Sequence, residues 1–99
     1  MRAGLSLRKI SYHLPYNVET NDQLKSLHPD WDIEKVQEKT GIFQRHIANE
    51  DETSLDLGFF ACKRLFKEYD LSPQEIDALL FISQTPDYAL PPSSCILQE

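Results

Sequence analysis

The chain has 99 residues, 40% of them hydrophobic, with 16 acidic against 10 basic residues and a net charge of −6. That length holds at most one small domain with a lean core, and the acidic balance argues against a non-specific nucleic-acid binder or a protein held by charge on anionic lipid. Apolar runs stay short of the roughly 18 residues of a membrane span, the opening MRAGLSLRKI lacks the apolar run and cleavage site of a signal peptide, and the two cysteines, Cys62 and Cys95, cannot build a disulfide scaffold.

The first predicted element is a strand over residues 5–14. Leu5 and Leu7 alternate, as do Ile10, Tyr12 and Leu14. The two sets are out of phase across Arg8 and Lys9, which predicts a bulge or twist. Pro15, without an N–H, ends the strand. Thr20 and Gln23 have capping-box spacing and open a short helix, with Leu24 and Leu27 on one face. A second short helix is predicted over residues 31–39, with Asp30 as its N-cap and Gly41 just past its end. Residues 42–48 read as a short extended stretch containing Arg45 and His46.

The strongest helix signal covers residues 53–69. Thr53 and Asp56 have capping-box spacing, and Leu55, Phe59, Cys62, Phe66 and Tyr69 make one apolar stripe. Gly58 and Ala61 leave room for a neighbour to approach closely. Ser72-Pro73-Gln74-Glu75 predicts a single helical turn. Residues 78–82 are continuously apolar and read as a strand buried on both faces, as in parallel sheets. The polar stretch after it is loop-like, and in α/β sheets ligands gather beyond such strand ends. Pro91-Pro92-Ser93-Ser94 starts a last helix, which has no stop signal before Glu99. Strand, helices, strand and helix start read as the opening of a parallel α/β unit.

Candidate chemistry is sparse. Cys95 lies near a helix start, where backbone N–H groups favour a thiolate. The competing reading, a small packing residue, is favoured because cysteine is so often buried. Cys62, in the middle of the stripe, reads as core packing. His13, His28 and His46 have no metal-binding spacing, so no metal site is expected. Lys39 and Arg45 flank Thr40-Gly41, where basic residues beside a turn glycine can hold a phosphate; a solvated face is the simpler reading. Trp31 either stacks on a flat ring or staples the helix start beside it. Glu50, Asp51 and Glu52 read as a solvated approach to the following helix, where negative charge suits the dipole.

Several segments, taken in order, resemble one family. Ile10-Ser11-Tyr12-His13-Leu14-Pro15, then Thr20-Asn21 with Leu24, is similar to the opening of β-ketoacyl-acyl-carrier-protein synthase III enzymes. Lys39-Thr40-Gly41-Ile42 with Arg45-His46-Ile47-Ala48 resembles their next motif, and Asp51-Glu52-Thr53 with Gly58 the one after. Ile76-Asp77, then Thr85-Pro86-Asp87-Tyr88-Ala89-Leu90-Pro91, Ser94-Cys95 and Gln98 complete the run. The resemblance extends from about residue 10 to residue 98.

That resemblance implies an α/β chain forming the opening part of the N-terminal half of a thiolase-like fold, an incomplete domain in which residues 1–99 stop before the catalytic cysteine. It implies a cytoplasmic homodimer that condenses acyl-CoA with malonyl-acyl-carrier-protein by decarboxylating Claisen condensation in fatty acid biosynthesis, without a cofactor. The nucleophilic cysteine, with its histidine and asparagine, is expected beyond Glu99, and Cys95 matches a non-catalytic position. Lys39 matches a position where relatives often carry an arginine near the adenine end of CoA. Trp31 is a candidate for stacking on the adenine, although it lies a few residues from the family position. Leu90 matches a large apolar residue reaching the partner subunit's acyl pocket, or it is an ordinary dimer-contact leucine. On this reading the 99 residues alone are inactive. Two alternatives stand beside it: a related thiolase-fold acyltransferase of specialised lipid or polyketide synthesis, and a non-catalytic binding or assembly module.

Overall fold

A computed structural model describes residues 4–99; Met1, Arg2 and Ala3, part of the N-terminal stretch read above, lie outside the described residues. The chain forms two compact units, Leu14–Asp51 and residues 4–13 with 52–99.

The first unit is built from two caps and one ladder. Thr20 caps α1 (Asn21–Leu27) with both bonds of the predicted box: its hydroxyl accepts from the Gln23 N–H, and its own N–H donates to Gln23 Oε1 at 2.9 Å. The helix α2 (Ile33–Thr40) starts at Asp32, whose carboxylate accepts from the Lys35 N–H at 3.1 Å. Asp32 therefore replaces the predicted cap Asp30. The intervening Trp31 is held outside the helix, with its N–H donating to the His28 carbonyl. Gly41 ends α2 at φ +70°, a left-handed conformation that glycine adopts without steric cost. The strand β1 (Asn17–Thr20) pairs antiparallel with β2 (Gln44–Ile47), placing Glu19 opposite Arg45 and Val18 opposite His46. β2 thus falls within the predicted extended stretch. The apolar anchor of this unit is Ile33, only 5% exposed.

The second unit is organised by α3 (Ser54–Glu68), which agrees with the predicted span. Thr53 caps it, with the Asp56 carboxylate returning to the Thr53 N–H at 2.9 Å. Its end is a Schellman-type turn: Asp70 takes φ +51°, and the Leu71 N–H reaches back to the Phe66 carbonyl at 3.0 Å. Leu55 is the buried residue of the stripe. Ser72 caps the predicted single turn, Pro73–Glu75, a 3-10 helix. The last helix, α4 (Ser93–Gln98), follows Pro92 as expected, after a cis Leu90–Pro91 peptide.

Two predicted strands are absent. Residues 5–14 form no ladder, because among the described residues the one sheet contains only β1 and β2. Within this stretch, residues 9–13 lie along α3. The Tyr69 hydroxyl donates to the Ile10 carbonyl at 3.3 Å, Arg64 donates to the Tyr12 carbonyl at 3.4 Å, and the His13 ring packs 5.1 Å from Phe60. Residues 78–82 are likewise irregular, and Leu80 and Ile82 are more than four-fifths exposed instead of buried on both faces. A strand's backbone groups need a partner strand, and neither segment has one here. What survives of the second is its packing: Phe81 lies against Gly58, where an added Cβ would sit 2.9 Å from the ring. The close approach predicted at Gly58 is therefore made.

Candidate functional site

The candidate residues divide between the two units. In the first, Trp31 precedes the cap of α2 and Lys39 stands in its last turn, eight residues on, with about 9 Å of helical rise between Ile33 and Lys39. Trp31 stacks on the His28 imidazole, with ring centroids 3.9 Å apart and planes 7° from parallel. One face of the indole is thus covered by a flat ring, and half of the residue remains exposed. Lys39 is exposed, and its ammonium makes no hydrogen bond or ion pair with the described residues. Its charge complements the carbonyl end of α2.

Arg45, the other basic residue beside the Thr40-Gly41 turn, is already engaged. It forms a half-buried ion pair with Glu19 at 2.9 Å across the ladder and a second bond to the Asn21 side-chain carbonyl. Opposite charges facing each other across a ladder stabilise the pairing, so Arg45 holds β2 to β1 and leaves Lys39 as the available cation at the turn. His46 is also structural: its Nδ1 lies 2.6 Å from the carbonyl of the buried Pro15. Lys25 on α1 pairs with Glu34 on α2 at 2.6 Å, and that hydrogen bond with the carboxylate charge raises the lysine above its ordinary pKa.

Sequence reasoning missed Asn21 as an organising residue. Its amide donates to Gln37 Oε1 at 2.6 Å and to the Ile42 carbonyl at 2.9 Å, while its carbonyl accepts from Arg45. Its backbone N–H donates to the Phe43 carbonyl at 3.2 Å. One side chain therefore joins the start of α1, the last half of α2, the turn after it and β2. The local signal, an asparagine just past a threonine cap, says only that a helix begins.

In the second unit, Leu90 is 81% exposed on the loop between residues 83 and 92. The start of α3 holds that loop. The Ser54 hydroxyl donates to the Thr85 carbonyl at 2.9 Å, and Ser83 reaches Ser54 at 3.2 Å. The Thr53 hydroxyl, with one proton to give, lies 3.0 Å from carboxylate oxygens of both Asp56 and Asp87. The two cysteines line one groove of about 720 Å³ between α3, residues 73–80 and α4, together with Phe59, Phe66 and Leu79. Cys62 is half-buried, in keeping with its place on the stripe, and Cys95 is exposed. Among the described residues no three His, Cys, Asp or Glu side chains come together as a metal site, and no helix is long and apolar enough to cross a membrane.

No family model matches the chain, but individual proteins match it closely. A curated relative from Helicobacter pylori strain J99, a β-ketoacyl-[acyl-carrier-protein] synthase III, is 34% identical over 93 residues, covering 93% of this chain and 28% of the relative. A crystal structure of 3-oxoacyl-(acyl-carrier-protein) synthase III superposes with a TM-score of 0.80 at 45% identity, over 90% of this chain and 26% of that one. The synthase III from Aquifex aeolicus VF5 gives 0.80 at 34% identity, over 91% of this chain and 29% of that one.

The fold is thus a partial thiolase-like domain of mixed helices and strands. Along nearly its whole length the chain matches one segment of the β-ketoacyl-[acyl-carrier-protein] synthase III family. It spans a little over a quarter of the length of the curated relatives it matches. The family resemblance read from the motifs is thereby borne out.

Proposed function

We propose that the chain is the N-terminal part of an acyltransferase that condenses acyl-CoA with malonyl-acyl-carrier-protein in fatty acid biosynthesis. The observation that carries this reading is the agreement of sequence and fold over nine-tenths of the chain with proteins named for that synthase. In the reaction a cysteine thiolate displaces CoA and becomes an acyl thioester. Loss of CO₂ from the malonyl group leaves an enolate, stabilised by a histidine and an asparagine. Its carbon attacks the thioester carbonyl, and the cysteine leaves as a thiolate. The cysteine, histidine and asparagine of this scheme belong to the part of the protein beyond residue 99, which gives these residues a binding and scaffolding role. The enzyme works without a cofactor, as a homodimer in the cytoplasm.

Lys39 contacts the phosphates near the adenine end of CoA, and the exposed face of Trp31 offers the adenine a stacking surface backed by His28. Lys39 meets phosphate as a point charge, without arginine's planar fork. Leu90, carried outward on its loop, reaches the acyl pocket of a second subunit. The test is the full-length protein supplied with radiolabelled acetyl-CoA and malonyl-acyl-carrier-protein. Release of labelled CO₂ from carboxyl-labelled malonate and a labelled β-ketoacyl product are expected. A stable acyl-enzyme at Cys95 in the 99-residue chain would overturn the scaffolding role, and absence of condensation by the full-length protein would overturn the activity.

A further inference from the structure

We propose that Asn21 is the positioning residue for the CoA-binding turn: its side-chain amide clamps the end of α2 so that Lys39 is presented at a fixed place. This rests on the reading of Lys39 given above. Lys39 stands between two points that the same amide group holds. Gln37, two residues before it, accepts at 2.6 Å, and the Ile42 carbonyl, three residues after it, accepts at 2.9 Å. Between them Gly41 turns the chain at φ +70°, with its N–H bonded to the Gln37 carbonyl at 2.8 Å. The Asn21 backbone N–H adds a bond to the Phe43 carbonyl.

Ordering a lysine's long side chain on a phosphate already costs conformational entropy, and a turn that is held before binding spares the further cost of ordering its backbone. Both amide hydrogens of Asn21 serve this turn, while its carbonyl oxygen serves Arg45. The two functions can therefore be separated. Asn21→Asp keeps an acceptor for Arg45 and removes both donors to the turn: Gln37 can meet the carboxylate by turning its own amide round, but the Ile42 carbonyl is left facing carboxylate oxygens without a donor. Asn21→Ala removes everything.

The experiment measures acyl-CoA KM and kcat in the full-length protein for Lys39→Ala, Asn21→Asp and Asn21→Ala, with thermal unfolding alongside. Lys39→Ala is expected to raise KM about ten-fold, and Asn21→Asp to raise it about three- to ten-fold with kcat within two-fold and a melting temperature near that of the parent. If Lys39→Ala leaves KM unchanged, the reading of Lys39 fails. If Lys39→Ala raises KM and Asn21→Asp does not, or if Asn21→Asp lowers kcat alone, the clamp fails and the reading of Lys39 stands. Should Asn21→Ala fail to fold, Asn21→Asp still decides. Should Asn21→Asp also unfold, Gln37→Leu, which removes one of the two points held, is expected to raise KM with kcat retained; an unchanged KM there overturns the clamp.

Discussion

Asp70 and Lys25 show two ways a single side chain bears on stability. Asp70 occupies the left-handed position that ends α3, at φ +51°. A side chain there costs of order 1 kcal/mol that glycine avoids. Asp70→Gly is therefore expected to raise the stability of the unit containing α3 by about 0.5–1 kcal/mol, read from the midpoint of denaturant unfolding. Lys25 is exposed, and Glu34 raises its pKa. A lysine with a raised folded pKa contributes fully below its unfolded value and loses that contribution as pH rises through the folded value. The difference between the chain and Lys25→Gln is thus expected to be small and constant near neutral pH. It should disappear only above 10.5, as a pH series of thermal melts would show.

Among the elements, α3 was the most legible in the sequence. Its cap, stripe and length all follow from residues within three or four positions of one another, and each is present. The cap of α2 was legible only in kind. Asp30 and Asp32 are equally good caps by composition, and the stacking of Trp31 on His28 accompanies the later start. Gly58 carries a prediction at this scale. Gly58→Ala would favour the helix by about 1 kcal/mol, but the new methyl would meet the Phe81 ring at 2.9 Å. Overpacking of this kind costs about 1–3 kcal/mol, so the net effect is expected to be destabilising. Adding Phe81→Leu should recover part of the loss, and a double-mutant cycle on chemical denaturation measures the coupling. Independent, additive effects would show that the ring does not hold this place.

In the molecule as a whole, burial is thin. Ile33 and Leu55 are the buried hydrophobic residues among those described, while Leu80, Ile82 and Leu90 on residues 76–92 and Leu5 and Leu7 near the start are more than four-fifths exposed. Apolar surface in such amounts drives association. The 99-residue chain is therefore expected to self-associate, with a light-scattering mass above that of one chain that rises with concentration. A monodisperse monomer at high concentration would contradict this. The same thinness accounts for the missing strands, since residues 78–82 have the apolar pattern of a central strand but no neighbours to pair with.

What the sequence determined by itself was local and chemical: the capping boxes at Thr20 and Thr53, the single turn that starts at Ser72, the glycine end of α2, the stripe of α3 and the family motifs. These signals lie within a few residues of one another, so the chain needs no distant partner to express them. The tertiary structure alone decided which extended segments pair, how the loop bearing Leu90 is tied to the start of α3, and that Asn21 joins four elements through one side chain. Those outcomes depend on groups from 16 to 34 residues apart meeting in space. A hydrogen bond between distant groups leaves no periodicity in a sequence, because it is set by where the intervening chain folds and not by the spacing of like residues.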